Sequence, residues 1–303
     1  MKRFLALALA LLASPLSAAN LAERLGYPRD AKLLIVHADD LGMAHTVNAA
    51  STAALATGLV NSASIMVPCP WFAEIVTYVR KNPDADLGLH LTLTSEWTSF
   101  RWGPVLPENR VATLLDGNGY LHLTESEASK RMDPREAEAE IRAQIARAKA
   151  AGIKPTHLDS HMGTLYQTKP LFEALMRVAR EEKLPARVSR AHARQPHMAA
   201  VLTPEDIVID HIISIGPDVK DEQWGDWYTA ELEKLQPGVA EVILHLAHDD
   251  AEMRAIAVDH PAWGSAWRQR DFDYFTSERF RKTLRDNNIR LITWRQLAAL
   301  FQK

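Results

Sequence analysis

The chain has 303 residues, 47% of them hydrophobic and 24% charged, with a formal net charge of -3. That apolar content excludes a disordered chain. The single cysteine, Cys69, excludes a disulfide scaffold, and no long basic cluster suggests a nucleic-acid partner.

In chain order, Lys2 and Arg3 precede a short apolar run, Pro15 breaks it, and Ser17-Ala18-Ala19 supplies small residues for cleavage. The pattern predicts a signal peptide over residues 1–19 and one catalytic domain over 20–303, in a protein exported to the periplasm or secreted. The run is too short for a bilayer span, which takes about 20 apolar residues, and no later segment is a candidate. Strands are expected at 32–37, 60–67, 86–93, 156–159, 186–189, 207–212, 240–246 and 289–293. Helices are expected at 46–57, 71–81, 134–151, 169–182, 224–235 and 276–287. This alternation predicts an α/β protein: a single TIM-like (β/α) barrel, with a doubly wound open sheet as the alternative. No glycine-rich fingerprint follows the first strand, which disfavours a dinucleotide site. Two stretches interrupt the rhythm, 96–133 with Trp97 and Trp102, and 248–275 with Trp263 and Trp267. Insertions of that length are lids or packed loops.

Ionisable residues gather at the strand ends, where an α/β barrel keeps its chemistry. Asp39 and Asp40 follow the first strand and can serve one site if the chain turns there, which Leu41-Gly42 allows. His90 lies inside an apolar strand. His157, Asp159 and His161 alternate at i, i+2 and i+4, so they share one face of an extended chain. His245 ends a late strand and is followed by His248, Asp249 and Asp250. Burying such groups is costly unless they bind a metal or one another. One carboxylate with two imidazoles suits a hydrolytic Zn²⁺-type site, and other divalent metals remain open. A further carboxylate is then free as general base and another imidazole as general acid. No Gly-x-Ser-x-Gly elbow occurs, and Cys69 has no evident activator.

Three motifs carry a resemblance: Ile35-Val36-His37-Ala38-Asp39-Asp40-Leu41-Gly42, Gly88-Leu89-His90-Leu91-Thr92, and Pro155-Thr156-His157-Leu158-Asp159-Ser160-His161. They resemble the YdjC-like carbohydrate deacetylases, a family that includes chitooligosaccharide deacetylases. The resemblance implies an α/β barrel related to polysaccharide deacetylases. It implies one divalent metal ion, Mg²⁺ or Zn²⁺, and hydrolysis of an acetyl or other N-acyl group on a small carbohydrate. By position, it implies Asp40, His90 and His161 as metal ligands, Asp39 as base, His245 as acid and Arg187 as the residue orienting the base. His157 and Asp159 are read as groups that orient ligands. Trp97, Trp102, Trp263 and Trp267 are candidates for stacking on sugar. The sequence departs from the chitooligosaccharide arm after His161, where Met162-Gly163-Thr164 follow, and after His245, which lacks a following proline. These departures leave the substrate open. The alternatives are another exported metallohydrolase on this scaffold or a non-catalytic periplasmic sugar- or metal-binding protein, for which Asp39 would be a spare carboxylate. A homodimer is allowed.

Overall fold

The long strand β1 (Lys32–Leu41) is buried along nearly its whole length and organises the fold. The computed structural model describes residues 20–301, so the expected signal peptide lies outside the described residues. Around β1 stand β2 (Ser62–Ile65), β3 (Leu87–Leu91), β4 (Leu158–Ser160), β5 (His211–Ile213), β6 (Gly238–Leu244) and β7 (Ile289–Leu291). They pair in parallel in the order β4-β3-β2-β1-β6-β5, with β7 on β1. Helices α1 (His45–Ala56), α2 (Phe72–Lys81), α3 (Pro134–Ala150), α4 (Lys169–Glu182), α5 (Trp224–Glu233), α6 (Ser265–Phe275), α7 (Glu278–Asp286) and α8 (Trp294–Phe301) flank them. Helices on the outer face, with side chains filling the interior, explain why the strands read as continuous apolar runs. This is the α/β barrel expected from the sequence. Among the described residues no helix is long and apolar enough to cross a membrane.

The barrel is less regular than eight equal strands. The expected strand at 186–189 is a stave held by isolated bridges, Leu158 to Ala186 on one side and Ser189 to Ile209 on the other. Arg187 N–H donates to the Leu158 carbonyl (2.8 Å) and Ile209 N–H to that of Val188 (2.9 Å), which closes the ring between β4 and β5. The expected strand at 289–293 shrinks to β7, which pairs only with Lys32–Leu34 at the foot of β1. β6 holds the other edge of those residues and β2 begins opposite His37, so β7 fills the gap beneath β2. Asn61 stitches this seam, accepting from Val36 N–H (2.9 Å) and donating to the Ile292 carbonyl (2.8 Å).

An apolar cluster of Leu33, Ile35, Ile209, Val239, Trp294 and Leu297 plugs the foot of the barrel. A larger cluster fills the space between strands and helices. α3 starts as its sequence predicts, with Pro134 in the first turn and Asp133 accepting from Arg135 N–H (2.8 Å). Its buried Glu140 accepts from the N–H groups of Val105 and Leu106, which fastens the 96–133 insertion. The other insertion is a correction: 248–275 contains a short helix, Ala251–Ile256, and all of α6. Arg268 and Asp271 lie on the buried face of α6 beside Trp267, Tyr274 and Phe275, which hides the apolar period from the sequence.

Candidate metal centre

The sequence places Asp39 and Asp40 beyond the first strand, but β1 runs through both and ends at Leu41. Between Ala38 and Leu41, β1 carries one more residue than β2 does between Ala63 and Ile65, so the strand bulges. Asp40 takes φ 71° within that bulge, a left-handed conformation that costs most side-chain-bearing residues about 1–2 kcal/mol and that aspartate adopts more readily. The bulge turns both neighbouring carboxylates into the barrel mouth. Gly42 follows at φ 94°.

Three candidate ligands meet there. Asp40 Oδ1 is buried without a hydrogen-bond partner among the described residues. It lies 3.5 Å from His90 Nε2 and 3.5 Å from His161 Nδ1. Two atoms held tetrahedrally at about 2.1 Å from one ion sit roughly 3.4 Å apart, so this donor set fits a divalent cation. Each ligand is held from behind. Arg268 Nη1 donates to Asp40 Oδ2 (2.9 Å), Asp159 Oδ1 holds His90 Nδ1 (2.7 Å), and Glu96 Oε2 holds His161 Nε2 (2.9 Å). These contacts leave Oδ1, Nε2 and Nδ1 facing one another. Burial opposes ionisation of Asp40, but the Arg268 guanidinium and the nearby His161 imidazole hold its carboxyl well below the usual range. Burial also opposes charge on His161, yet Glu96 and Asp40 on its two sides raise it to about 10. A cation would take that proton's place on Nδ1.

Asp39 lies beside the trio, its Oδ2 3.7 Å from His90 Nε2. Arg187 reaches it with two nitrogens, Nη1 to Oδ1 at 3.0 Å and Nη2 to Oδ2 at 3.3 Å. Burial raises the Asp39 carboxyl, and the stronger pull of Arg187, His90 and His37 takes it well below its usual value. The arginine expected beside Asp39 is therefore in contact with it.

Below this level lies a buried charged layer. His37 bonds Ser62 Oγ through Nδ1 and Ser64 Oγ through Nε2, each at 3.0 Å. Its Nε2 also lies 3.1 Å from Asp39 Oδ1 and 3.3 Å from Asp159 Oδ2. Burial disfavours its charge, but Asp159, Asp39 and Glu241 raise it to about 10, so His37 is an imidazolium. Arg187 Nη1 adds a second cation 3.2 Å from Asp159 Oδ2. His37, His157 and Asp159 could also converge on an ion, as could Asp39, His90 and Asp159. In both groups the protein's own cations already occupy the carboxylates. His157, expected to orient a ligand, bonds Thr156 Oγ1 through Nδ1 (3.0 Å). Its ring stacks on Trp294 (4.9 Å) and meets His37 edge-on, and a Cβ on Gly88 would come within 2.4 Å of it.

His245 follows β6 at the same end of the barrel and lines the cavity. Burial, against the pull of Asp40 and Asp39, lowers its imidazole to about 4, so it is neutral at neutral pH. Its backbone N–H donates to Asp271 Oδ2 (3.2 Å), and Asp271 Oδ1 accepts from Trp224 Nε1 (3.0 Å) and Tyr228 Oη (2.8 Å). The neighbouring residues stay outside the site. Asp250 caps the helix Ala251–Ile256, Asp249 pairs with Arg254, and His248 packs on Phe272.

A cavity of about 620 Å³ opens over these groups. Trp97, Trp263 and Trp267 line it, and Trp263 is 42% exposed. Trp102 is buried behind His161 (ring centroids 6.1 Å), donating from Nε1 to the Thr94 carbonyl (2.9 Å). Cys69 is buried, and burial with the charges of Glu96 and Asp40 pushes its thiol well up, so it is no nucleophile. Sequence reasoning missed Glu96, Arg268 and the charge on His37. His37 stood inside a quoted motif; Glu96 and Arg268 sit in the insertions, where no periodicity marks them.

Residues 33–286 match the family described as YdjC-like protein. A carbohydrate deacetylase of Thermoanaerobacter pseudethanolicus is 27% identical over 263 residues, covering 87% of this chain and 98% of that protein. A chitooligosaccharide deacetylase of Yersinia enterocolitica is 32% identical over 172 residues, covering 55% of this chain and 63% of that protein. A solved Enterococcus faecalis structure named for cellobiose-phosphate cleavage aligns with a TM-score of 0.73 at 25% identity, covering 88% of this chain and 99% of that one. With the bulged Asp pair, the two facing imidazoles and a match that spans the barrel from β1 to the end of α7, this chain belongs to the YdjC-like family.

Proposed function

We propose that the protein is a metal-dependent carbohydrate deacetylase that hydrolyses an N-acyl group on a sugar. The observation that carries this is the buried, unpartnered Asp40 Oδ1 facing two imidazole nitrogens, with an ionised carboxylate, Asp39, alongside. Asp40, His90 and His161 would hold the ion, Zn²⁺ or Mg²⁺, which when bound polarises the acyl carbonyl and acidifies a water.

The remaining work belongs to the chain. Asp39, fixed by Arg187, accepts the proton that leaves the attacking water. His245 delivers a proton to the departing amine nitrogen; being neutral at neutral pH, it must first collect that proton within the cavity. Trp263 offers an exposed aromatic face to the sugar. The N-terminal pattern from Lys2 to Ala19 supports export to the periplasm or beyond.

The test is elemental analysis of the purified protein beside His161→Ala, with acetate release measured on a panel of N-acetylated sugars. Near-stoichiometric divalent metal, lost in the mutant, together with acetate release is the expected result. A wild type that takes up neither Zn²⁺ nor Mg²⁺ ends the proposal, and metal without turnover on any sugar favours the binding-protein alternative.

A further inference from the structure

We propose that Glu96 is a positioning residue that joins the metal centre to the rim of the cavity, an inference that rests on the metal-dependent reading above. Its side chain and its backbone act on different neighbours. The carboxylate Oε2 holds His161 Nε2 at 2.9 Å, so Nδ1 is the nitrogen turned toward Asp40. A carboxylate on the far nitrogen fixes an imidazole's tautomer and raises its basicity as a ligand. The Glu96 carbonyl accepts from His260 Nε2 at 3.1 Å, on the opposite insertion.

Adjacent residues reinforce that second grip. Thr98 donates to Asp259 through its backbone N–H (2.9 Å) and its hydroxyl. Trp97 meets the His260 ring edge-on at 5.5 Å. Arg268, which holds Asp40, stands over the Trp97 ring at 5.8 Å. The segment that delivers Glu96 is itself braced, since Ser95 Oγ accepts from Trp102 N–H (3.1 Å) and Arg101 Nε (3.2 Å). Residues 96–98 therefore clasp His161 on one side and residues 259–260 on the other. Metal affinity and the order of the rim are thereby linked through one residue.

The experiment uses metal-stripped full-length protein and Zn²⁺ alone. Zn²⁺ affinity is read by competition with a chromophoric chelator, and rim order by hydrogen exchange over residues 257–263. In wild type, Zn²⁺ should slow that exchange. Glu96→Ala should weaken Zn²⁺ about 10–100-fold and abolish the slowing. Glu96→Gln keeps an acceptor oxygen and should recover part of the affinity; it carries the test should the alanine variant fail to fold. His260→Ala removes the bond to the Glu96 carbonyl and leaves the His161 contact untouched, so Zn²⁺ affinity should stay within about twofold of wild type while the Zn²⁺ effect on exchange shrinks. Glu96→Ala with wild-type Zn²⁺ affinity, or with an unchanged Zn²⁺ effect on exchange, overturns the proposal. A wild type that binds neither Zn²⁺ nor, in a parallel titration, Mg²⁺ overturns the metal-dependent reading as well, so the two failures are distinguishable.

Discussion

Two levels of the barrel interior hold similar residues and treat them oppositely. In the lower level, His37 and Arg187 lie among Asp39, Asp159 and Glu241, so the carboxylates there meet protein cations. In the upper level, Asp40, His90 and His161 are each held from behind, while their facing atoms are left to one another. Burying a charge is tolerable when it is paired, and the lower level pairs its carboxylates with cations of the protein itself. The upper level, assembled at the cost of a left-handed Asp40, is unfinished as a piece of structure. The inference runs from that incompleteness to chemistry.

The contrast can be broken at either level. Asp39→Asn touches both, and its largest effect should be on turnover: a fall of about 10²–10⁴-fold in acetate release. Metal content should stay near wild type, because Asp40, His90 and His161 are untouched; loss of the metal would move Asp39 into the ligand set.

His37→Leu strikes the lower level and leaves Asp40, His90 and His161 in place. It strips the imidazolium from three carboxylates, and breaking a buried pair in this way costs about 3–5 kcal/mol. Urea unfolding of the metal-free protein measures it. His161→Ala, in the upper level, should cost clearly less in the same assay while losing the metal. Equal costs would erase the distinction between the levels.

Asp271 sharpens the comparison through pH. Burial, only partly offset by its hydrogen bonds from His245, Tyr228 and Trp224, raises its carboxyl to about 7. In the unfolded chain it ionises near 4. Between those values the folded state binds more protons, so stability falls as pH rises from about 4 to 7 and then levels off. Asp271→Asn should flatten this part of the stability curve, measured by unfolding across that range. An unchanged slope assigns it to other groups.

The smallest effect belongs to the rim. Trp263→Ala should raise KM for an acetylated sugar severalfold with metal content unchanged. A KM equal to wild type removes Trp263 from the sugar's path.

The parts of this molecule legible in the sequence are those governed by periodicity. The i, i+2, i+4 pattern of His157, Asp159 and His161 follows from strand geometry, and all three turn inward as that pattern requires. The ends of α3 carry their own signals, Asp133 with Pro134 at the start and Gly152 at φ 89° just past the close. Groups supplied by irregular chain were hidden. Glu96 lies just beyond β3, and Arg268 occupies the inner face of a helix where an apolar residue would have been the readable signal. The stave at 186–189 has strand composition but forms only one isolated bridge on each side, a difference that composition does not encode.

The left-handed backbone at Asp40 also governs which amino acids position 40 can exchange with. Asparagine and glycine join aspartate among residues at ease there, whereas alanine or glutamate would carry the conformational penalty along with the chemical change. An Asp40→Ala protein would confound a lost ligand with a displaced Asp39, while Asp40→Asn changes charge and leaves the bulge in place. The same restriction narrows the paths by which this barrel can drift toward another metal: a substitution at position 40 has to satisfy the chain before it can please the ion.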